Sequence, residues 1–266
     1  MTDTLQPPSA AQRPHRTVHH NRTLEDPWAW LRDPGYPDVK DPDVLAYLTA
    51  ENGYFEAHMA ARKGQVDALF AEMKGRIKEE DRSVPQKDGA YVYWSTFEAG
   101  EQYRRHWRRR VGAAEDGSAD ELIVDEPALA AGKDYFRLGS VAISNDDRLL
   151  AYAIDDNGSE RYTVRIRNLE TGEMLPDVIP DVLSALVWTR DDSALVYAPA
   201  NAQWRTDRAM LHRLGSDVAQ DVMLYHEADE GFRVSVGLTC AENWIVIATG
   251  DHVTSEVRLV PAGDPT

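Results

Sequence analysis

The sequence predicts a mainly β fold, about four propeller blades preceded by an N-terminal arm and an α-helical hairpin. Three observations predict it. A strand–turn–strand phrase recurs at residues 141–153, 186–198 and, more weakly, 236–248, and aligning Ile143, Trp188 and Leu238 gives spacings of 45 and 50 residues. Repetition at that period, with strands inside each unit, is the signature of propeller blades. Elsewhere in the unit, a hydroxyl–acid pair at Ser159-Glu160, Thr206-Asp207 and Ser255-Glu256 recurs at 47 and 49 residues. Two registers therefore agree on one period. Finally, the apolar periodicity is helical before Val84 and strand-like after it.

Taken in order, residues 1–16 are rich in Pro, Ala, Gln and Ser and read as a disordered lead-in. His19-His20 invites a metal reading, but no third ligand stands at a recognisable spacing, so a surface or interface role is preferred. The Pro-bounded segment 24–33, with Trp28, Trp30 and Leu31, reads as an arm that packs on something. Asp41-Pro42 opens a helix, with aspartate as cap and proline at the first helical position. Leu45, Leu48, Phe55 and Met59 share one face, and Gly64 is expected to end it. A second helix, about 65–78, carries Val66, Leu69, Phe70, Met73 and Ile77 on one side.

From Val84 the strands begin. Residues 91–97 form a strand, 98–101 a hairpin turn and 103–111 the return. That return carries Arg104, Arg105, Arg108, Arg109 and Arg110 around His106 and Trp107. A nucleic-acid strip is one reading; pairing with this chain's many carboxylates is preferred. Residues 121–125 are the next strand. The phrase 155–160 spaces Asp155, Asn157 and Ser159 two apart, but lacks the terminal glutamate and flanking helices of a calcium loop. Outer strands are expected at 162–169, 209–214 and 257–260. The four units span about 84–127, 138–176, 183–229 and 233–262. The last has no evident closing strand before Thr266, so the chain reads as cut rather than finished.

The bulk numbers limit function. The 266 residues carry 45 acidic against 29 basic side chains, a formal charge of −16. This argues against a nucleic-acid or anionic-membrane binder; it is compatible with attracting basic peptides, although most acidic proteins attract nothing in particular. No apolar run is long enough to span a bilayer, and residues 1–14 lack a signal-type apolar core, so a cytoplasmic location is expected. The single cysteine, Cys240, rules out an internal disulfide and reads as a small buried residue beside a strand.

Two phrases stand out, Asp26-Pro-Trp-Ala-Trp-Leu-Arg-Asp33 and Val44-Leu-Ala-Tyr-Leu-Thr-Ala-Glu-Asn-Gly-Tyr54. Phe97-Glu-Ala-Gly-Glu-Gln-Tyr103, Tyr135-Phe-Arg-Leu-Gly-Ser140, Gly158-Ser-Glu-Arg-Tyr162 and Ser255-Glu-Val257 follow them along the chain. In content and order these phrases resemble the prolyl oligopeptidase family of serine peptidases, and within it the oligopeptidase B branch. The resemblance implies three parts: a lead-in (1–16); an arm and helical hairpin (17–82) that packs on an α/β-hydrolase domain; and a partial propeller (83–266), about four of seven blades. The hydrolase domain is expected to be absent from these 266 residues. The resemblance also implies cleavage of short basic peptides after Arg or Lys by the whole enzyme, with the propeller excluding folded proteins.

No family catalytic residue transfers. No serine has glycine at both −2 and +2, as a nucleophile elbow requires. Gly139-Ser140, Gly158-Ser159 and Gly215-Ser216 lie among strands, and His212, His226 and His252 fall within the repeats. The chain is therefore expected to have no catalytic, cofactor or metal residue and no peptidase activity alone. The alternative is a non-catalytic propeller that serves as a protein-interaction module.

Overall fold

A computed structural model describes residues 5–36, 38–183 and 185–265. The chain divides into two compact units, Met1–Lys78 and Glu79–Thr266. Residues 1–4 of the expected lead-in and Thr266 lie outside the described residues.

The first unit opens with a hairpin, β1 (Arg16–His19) and β2 (Arg22–Glu25), closed by His20 and Asn21 at φ 50 and 62. Two consecutive left-handed residues make the turn whose twist matches the flanking strands, and asparagine tolerates that conformation well. The stretch expected to be disordered carries hydrogen bonds before β1 begins: Arg13 N–H to Pro27 O and Trp30 Nε1 to Ala11 O, 2.8 and 2.7 Å. Arg13 also stacks on Trp30 and pairs with Asp43. The arm thus folds back on its own helix.

That helix, α1 (Pro42–Ala60), is capped by Asp41, whose carboxylate accepts from the N–H groups of Asp43 and Val44. Asp33 fixes the approach by accepting from Asp41, Gly35 and Lys40 N–H, which holds its carboxyl below the ordinary value. The expected break at Gly64 is corrected: α1 ends at Ala60, and α2 (Lys63–Gly75) already contains Gly64. Arg62 O accepts from Gln65 and Val66 N–H, so Gly64 sits in the first turn, where no intrahelical partner is needed.

The second unit is a set of antiparallel meanders. The first sheet comprises β3 (Asp81–Arg82), β4 (Gln86–Asp88), β5 (Tyr91–Phe97), β6 (Arg105–Arg110) and β7 (Glu121–Asp125). Both β3 and β4 pair with β5, so the innermost position is split at Val84-Pro85; proline has no N–H to give a ladder. After a short helix, α3 (Glu126–Ala130), the second sheet runs β8 (Arg137–Ile143), β9 (Leu149–Asp155), β10 (Tyr162–Asn168), β11 (Met174–Val182). The third is β12 (Val187–Trp188), β13 (Ala194–Tyr197), β14 (Arg208–Arg213), β15 (Val222–His226). The fourth is β16 (Arg233–Leu238), β17 (Trp244–Gly250), β18 (Ser255–Pro261).

Two expectations need correction here. The strands expected to be outermost, now β10 and β14, are third in their sheets; β11 and β15 lie outside them. Cys240 is exposed, not buried. It occupies the turn between β16 and β17, beyond the last residue of the inner strand.

The repeat alignment coincides with a structural one. Ile143, Trp188 and Leu238 are the last residues of the inner strands β8, β12 and β16. Four positions later stand Asp147, Asp192 and Glu242, all left-handed at φ 63, 57 and 56. Each turn closes with the same pair of backbone bonds, as in Thr189 N–H to Ala194 O and Asp192 N–H to Thr189 O.

Cores form between neighbouring sheets. Ile123, Val124, Leu150 and Tyr152 join the first two; Ile166, Ile179, Val182, Trp188, Leu195 and Tyr197 join the second and third. Val196, Leu211, Val234, Val236, Ile245 and Ile247 join the third and fourth. Gly139 is required by a close approach, since a Cβ there would lie 2.7 Å from the Tyr162 ring. Among the described residues no helix is long and apolar enough to cross a membrane.

Candidate functional site

The inner strands present a common wall. The ends of β4, β8 and β12, with Leu238 of β16, line a cavity of about 560 Å³. Its apolar surface comes from Val141, Ile143, Trp188 and Leu238, and its polar groups include Lys87, Asp88, Asp147 and Glu242. A second hollow of about 350 Å³ opens between the first two sheets, lined by Phe97, Tyr103, Arg104, His106, Glu126, Leu138 and Val141. There His106 Nε2 lies 2.6 Å from Glu126 Oε1. Val141 borders both hollows.

The turns beside the larger cavity are stitched from sheet to sheet. Asp192 accepts from Asn145 N–H at 2.8 Å, Asn145 Nδ2 at 2.6 Å and Asp146 N–H at 3.0 Å. Arg190 N–H reaches Ala262 O at 2.8 Å, and Trp188 Nε1 reaches Ala142 O at 3.1 Å. At the opposite strand ends Arg161 donates to Asn201 O at 2.6 Å and covers the Trp204 ring, whose Nε1 donates to Ser159 O at 2.8 Å. Trp204 is itself left-handed, φ 56, held by Asn201.

The arginine run on β6 packs into the sheet. Arg108 and Arg109 are buried. Arg108 donates to Glu121 and to Asp147 O at 2.7 and 2.6 Å and lies over Tyr91. Arg109 pairs with Glu115 and Asp120, and Arg105 with Glu98, Glu101 and Asp125. Carboxylate pairing, the preferred reading, is what these three residues do. Asp155 likewise serves its own loop, accepting from the N–H groups of Asn157, Gly158 and Glu160.

The glycine–serine positions remain scattered. Ser140 lies on β8, Ser159 Oγ accepts from Arg161 N–H, and Ser216 Oγ donates to Arg213 O. His226 and His252 are exposed. His212 is fully buried, with Nδ1 2.7 Å from Asp221 Oδ1 and Nε2 3.0 Å from Asp177 Oδ1. Asp177 also accepts from Gly215 N–H, while its Oδ2 is buried without a partner. Tyr197 donates to Asp221 at 2.7 Å, and burial, then that carboxylate, pushes the phenol well above its ordinary value. Both ring nitrogens of His212 are thus engaged within this buried cluster. The cluster joins β11 to the third sheet, and no sequence spacing announced it.

Asp207, from the recurring hydroxyl–acid pair, carries a pH dependence. Its carboxylate accepts from Arg208 Nε and Nη2 at 2.7 and 3.1 Å and from Asn201 Nδ2 at 3.1 Å, Arg208 being the largest influence. These donors hold it at about 2 against an ordinary 3.8. A depressed folded value stabilises the fold above the unfolded value and loses that contribution as pH falls toward the folded one. Because Arg208 is 40% exposed, screening trims the contribution to about 1–2 kcal/mol. Asp207→Asn should lower stability by that amount at neutral pH and flatten the acid limb between about pH 4 and pH 2. Urea titrations at several pH values check this.

A dipeptidyl aminopeptidase BI of Pseudoxanthomonas mexicana is 37% identical over 97% of this chain and 37% of its own length. Protease 2 of Moraxella lacunata is 28% identical over 97% of this chain and 37% of its own. The structure of oligopeptidase B from Leishmania major aligns with a TM-score of 0.89 at 28% identity, over 97% of this chain and 38% of that one. The chain thus spans a little over a third of the length of these relatives. Residues 7–266 match the family described as prolyl oligopeptidase, N-terminal beta-propeller domain, and the chain belongs to it.

Proposed function

We propose that this chain is the propeller-bearing portion of a serine peptidase that acts on short peptides, with the propeller limiting access to the catalytic centre. The observation that carries the reading is the match over residues 7–266, together with the short share of each peptidase relative that the chain spans. The inner-strand cavity, wide and mixed in character, is compatible with a passage for extended peptides. The oligopeptidase B reading, endopeptidase cleavage after Arg or Lys, draws support from the Leishmania and Trypanosoma structures at TM-scores of 0.89 and 0.87. A second reading, release of dipeptides from an amino terminus, is favoured by the 37% identity to the Pseudoxanthomonas enzyme.

The first unit supplies the surface for the hydrolase domain in this proposal. Leu45, Leu48, Phe55, Leu69, Phe70, Met73 and Ile77 are all exposed, while Val44 is the buried apolar residue of α1. Apolar area on this scale favours a covering partner. A cytoplasmic setting accords with the reading.

The test uses the protein from its complete gene beside the 266-residue chain. Amino-blocked arginyl and lysyl amides cleaved by the complete protein support the endopeptidase. Cleavage restricted to unblocked dipeptidyl amides supports dipeptide release, and cleavage of neither defeats both. The 266-residue chain is expected to cleave none of them. Turnover by it, surviving removal of contaminating proteases, would defeat that expectation.

A further inference from the structure

The chain contains two Asn-Gly dipeptides, Asn52-Gly53 and Asn157-Gly158, and all four residues are exposed. Their backbones differ. Asn52-Gly53 lies inside α1, where helical ψ keeps the asparagine side-chain carbon from the next backbone nitrogen. Asn157-Gly158 lies in the loop between β9 and β10, with Gly158 at φ 80. Two hydrogen bonds in that loop have chemical consequences. Gly158 N–H donates to Asp155 Oδ1 at 3.0 Å, and Asn157 Oδ1 accepts from Ser159 N–H at 2.9 Å.

We propose that Asn157 is the site at which this chain deamidates, and that its loop assists the reaction. Gly158 N attacks Asn157 Cγ, forming a C–N bond and closing a five-membered imide. Asp155 receives the proton from Gly158 N, and Ser159 N–H stabilises the charge that develops on Asn157 Oδ1, as an oxyanion donor does. The Cγ–NH2 bond then breaks and ammonia leaves with that proton. Water opens the imide at either carbonyl, leaving aspartate or isoaspartate; the net change is one water gained and one ammonia lost, with no oxidant or reductant. The isoaspartyl form adds a methylene to the backbone inside the Asp155 cradle. It thereby disturbs Ser159, whose carbonyl holds the Trp204 indole of the third sheet. This inference is independent of the peptidase reading.

The experiment is incubation of the folded 266-residue chain at mildly alkaline pH, followed by peptide mapping and isoaspartyl-methyltransferase labelling. Asn157 is expected to convert faster than Asn52 by on the order of tenfold or more, because orientation favours one dipeptide and blocks the other. In denaturing urea the two should converge. Equal rates in the folded chain, or conversion confined to Asn52, would overturn the site assignment. Asp155→Asn, with the fold checked by circular dichroism, should slow conversion at Asn157, and acceleration would overturn the role given to Asp155. If that variant does not fold, the comparison of Asn157 with Asn52 in the unaltered chain still decides the assignment.

Discussion

Replacing His212 by alanine is expected to destabilise the chain by about 3–5 kcal/mol, the cost of stripping the partner from a buried ion cluster. His212 is 0% exposed, and the side chains of Asp177 and Asp221 are each 1% exposed. Removing the ring leaves two carboxylates in one apolar neighbourhood with no group between them. Gly215 N–H and the Tyr197 hydroxyl remain as donors, one to each aspartate, but neither bridges the two carboxylates. The urea midpoint should fall with little change in slope, since the surface exposed on unfolding is nearly the same. His226→Ala is the control: that side chain is exposed, so its loss should stay within about 0.5 kcal/mol. A His212→Ala loss as small as the control's would show that the two aspartates do not depend on the ring. Replacing Asp177 and His212 together by leucine should recover part of the loss, because it removes one buried charge along with its partner.

What the sequence disclosed, and what it hid, follows from how local each interaction is. The turns after the inner strands were legible because Thr189-Arg190-Asp191-Asp192 and its counterparts are short-range devices whose residue types match a left-handed fourth position. The strand 91–97 is legible because six of its seven residues, all but Ser95, are aromatic or β-branched. By contrast β4, Gln86-Lys87-Asp88, has no apolar alternation, being an exposed edge whose pairing is backbone only. Gly64 marks no helix boundary because a glycine costs little in a first turn, where backbone N–H groups lack intrahelical partners in any case. Cys240 is exposed despite its apolar neighbours, since two residues beyond an inner strand the chain has already turned outward. As for the candidate sites, Asp177 meets His212 across 35 residues and two sheets, and no spacing rule spans that. The cavity wall depends on the same long-range assembly, so no local pattern marks its residues.

The repeat itself supplies the sharper test of this division. Trp188 and Leu238 occupy one position in the phrase and end corresponding inner strands, so pattern alone predicts equal weight for both. Their surroundings differ: Trp188 is 3% exposed and Leu238 is 39% exposed. Trp188 also packs in the core between the second and third sheets and donates its indole N–H to Ala142 O. Trp188→Ala should therefore cost about 3–5 kcal/mol through lost burial and the cavity left behind. Leu238→Ala, facing the open hollow, should cost roughly 0.5 kcal/mol or less. Measured side by side by urea unfolding, a large gap shows that the repeat specifies strand and turn, while neighbouring sheets decide which copy bears stability. Equal losses would mean that Leu238 is covered in solution and that the inner wall is not an open surface.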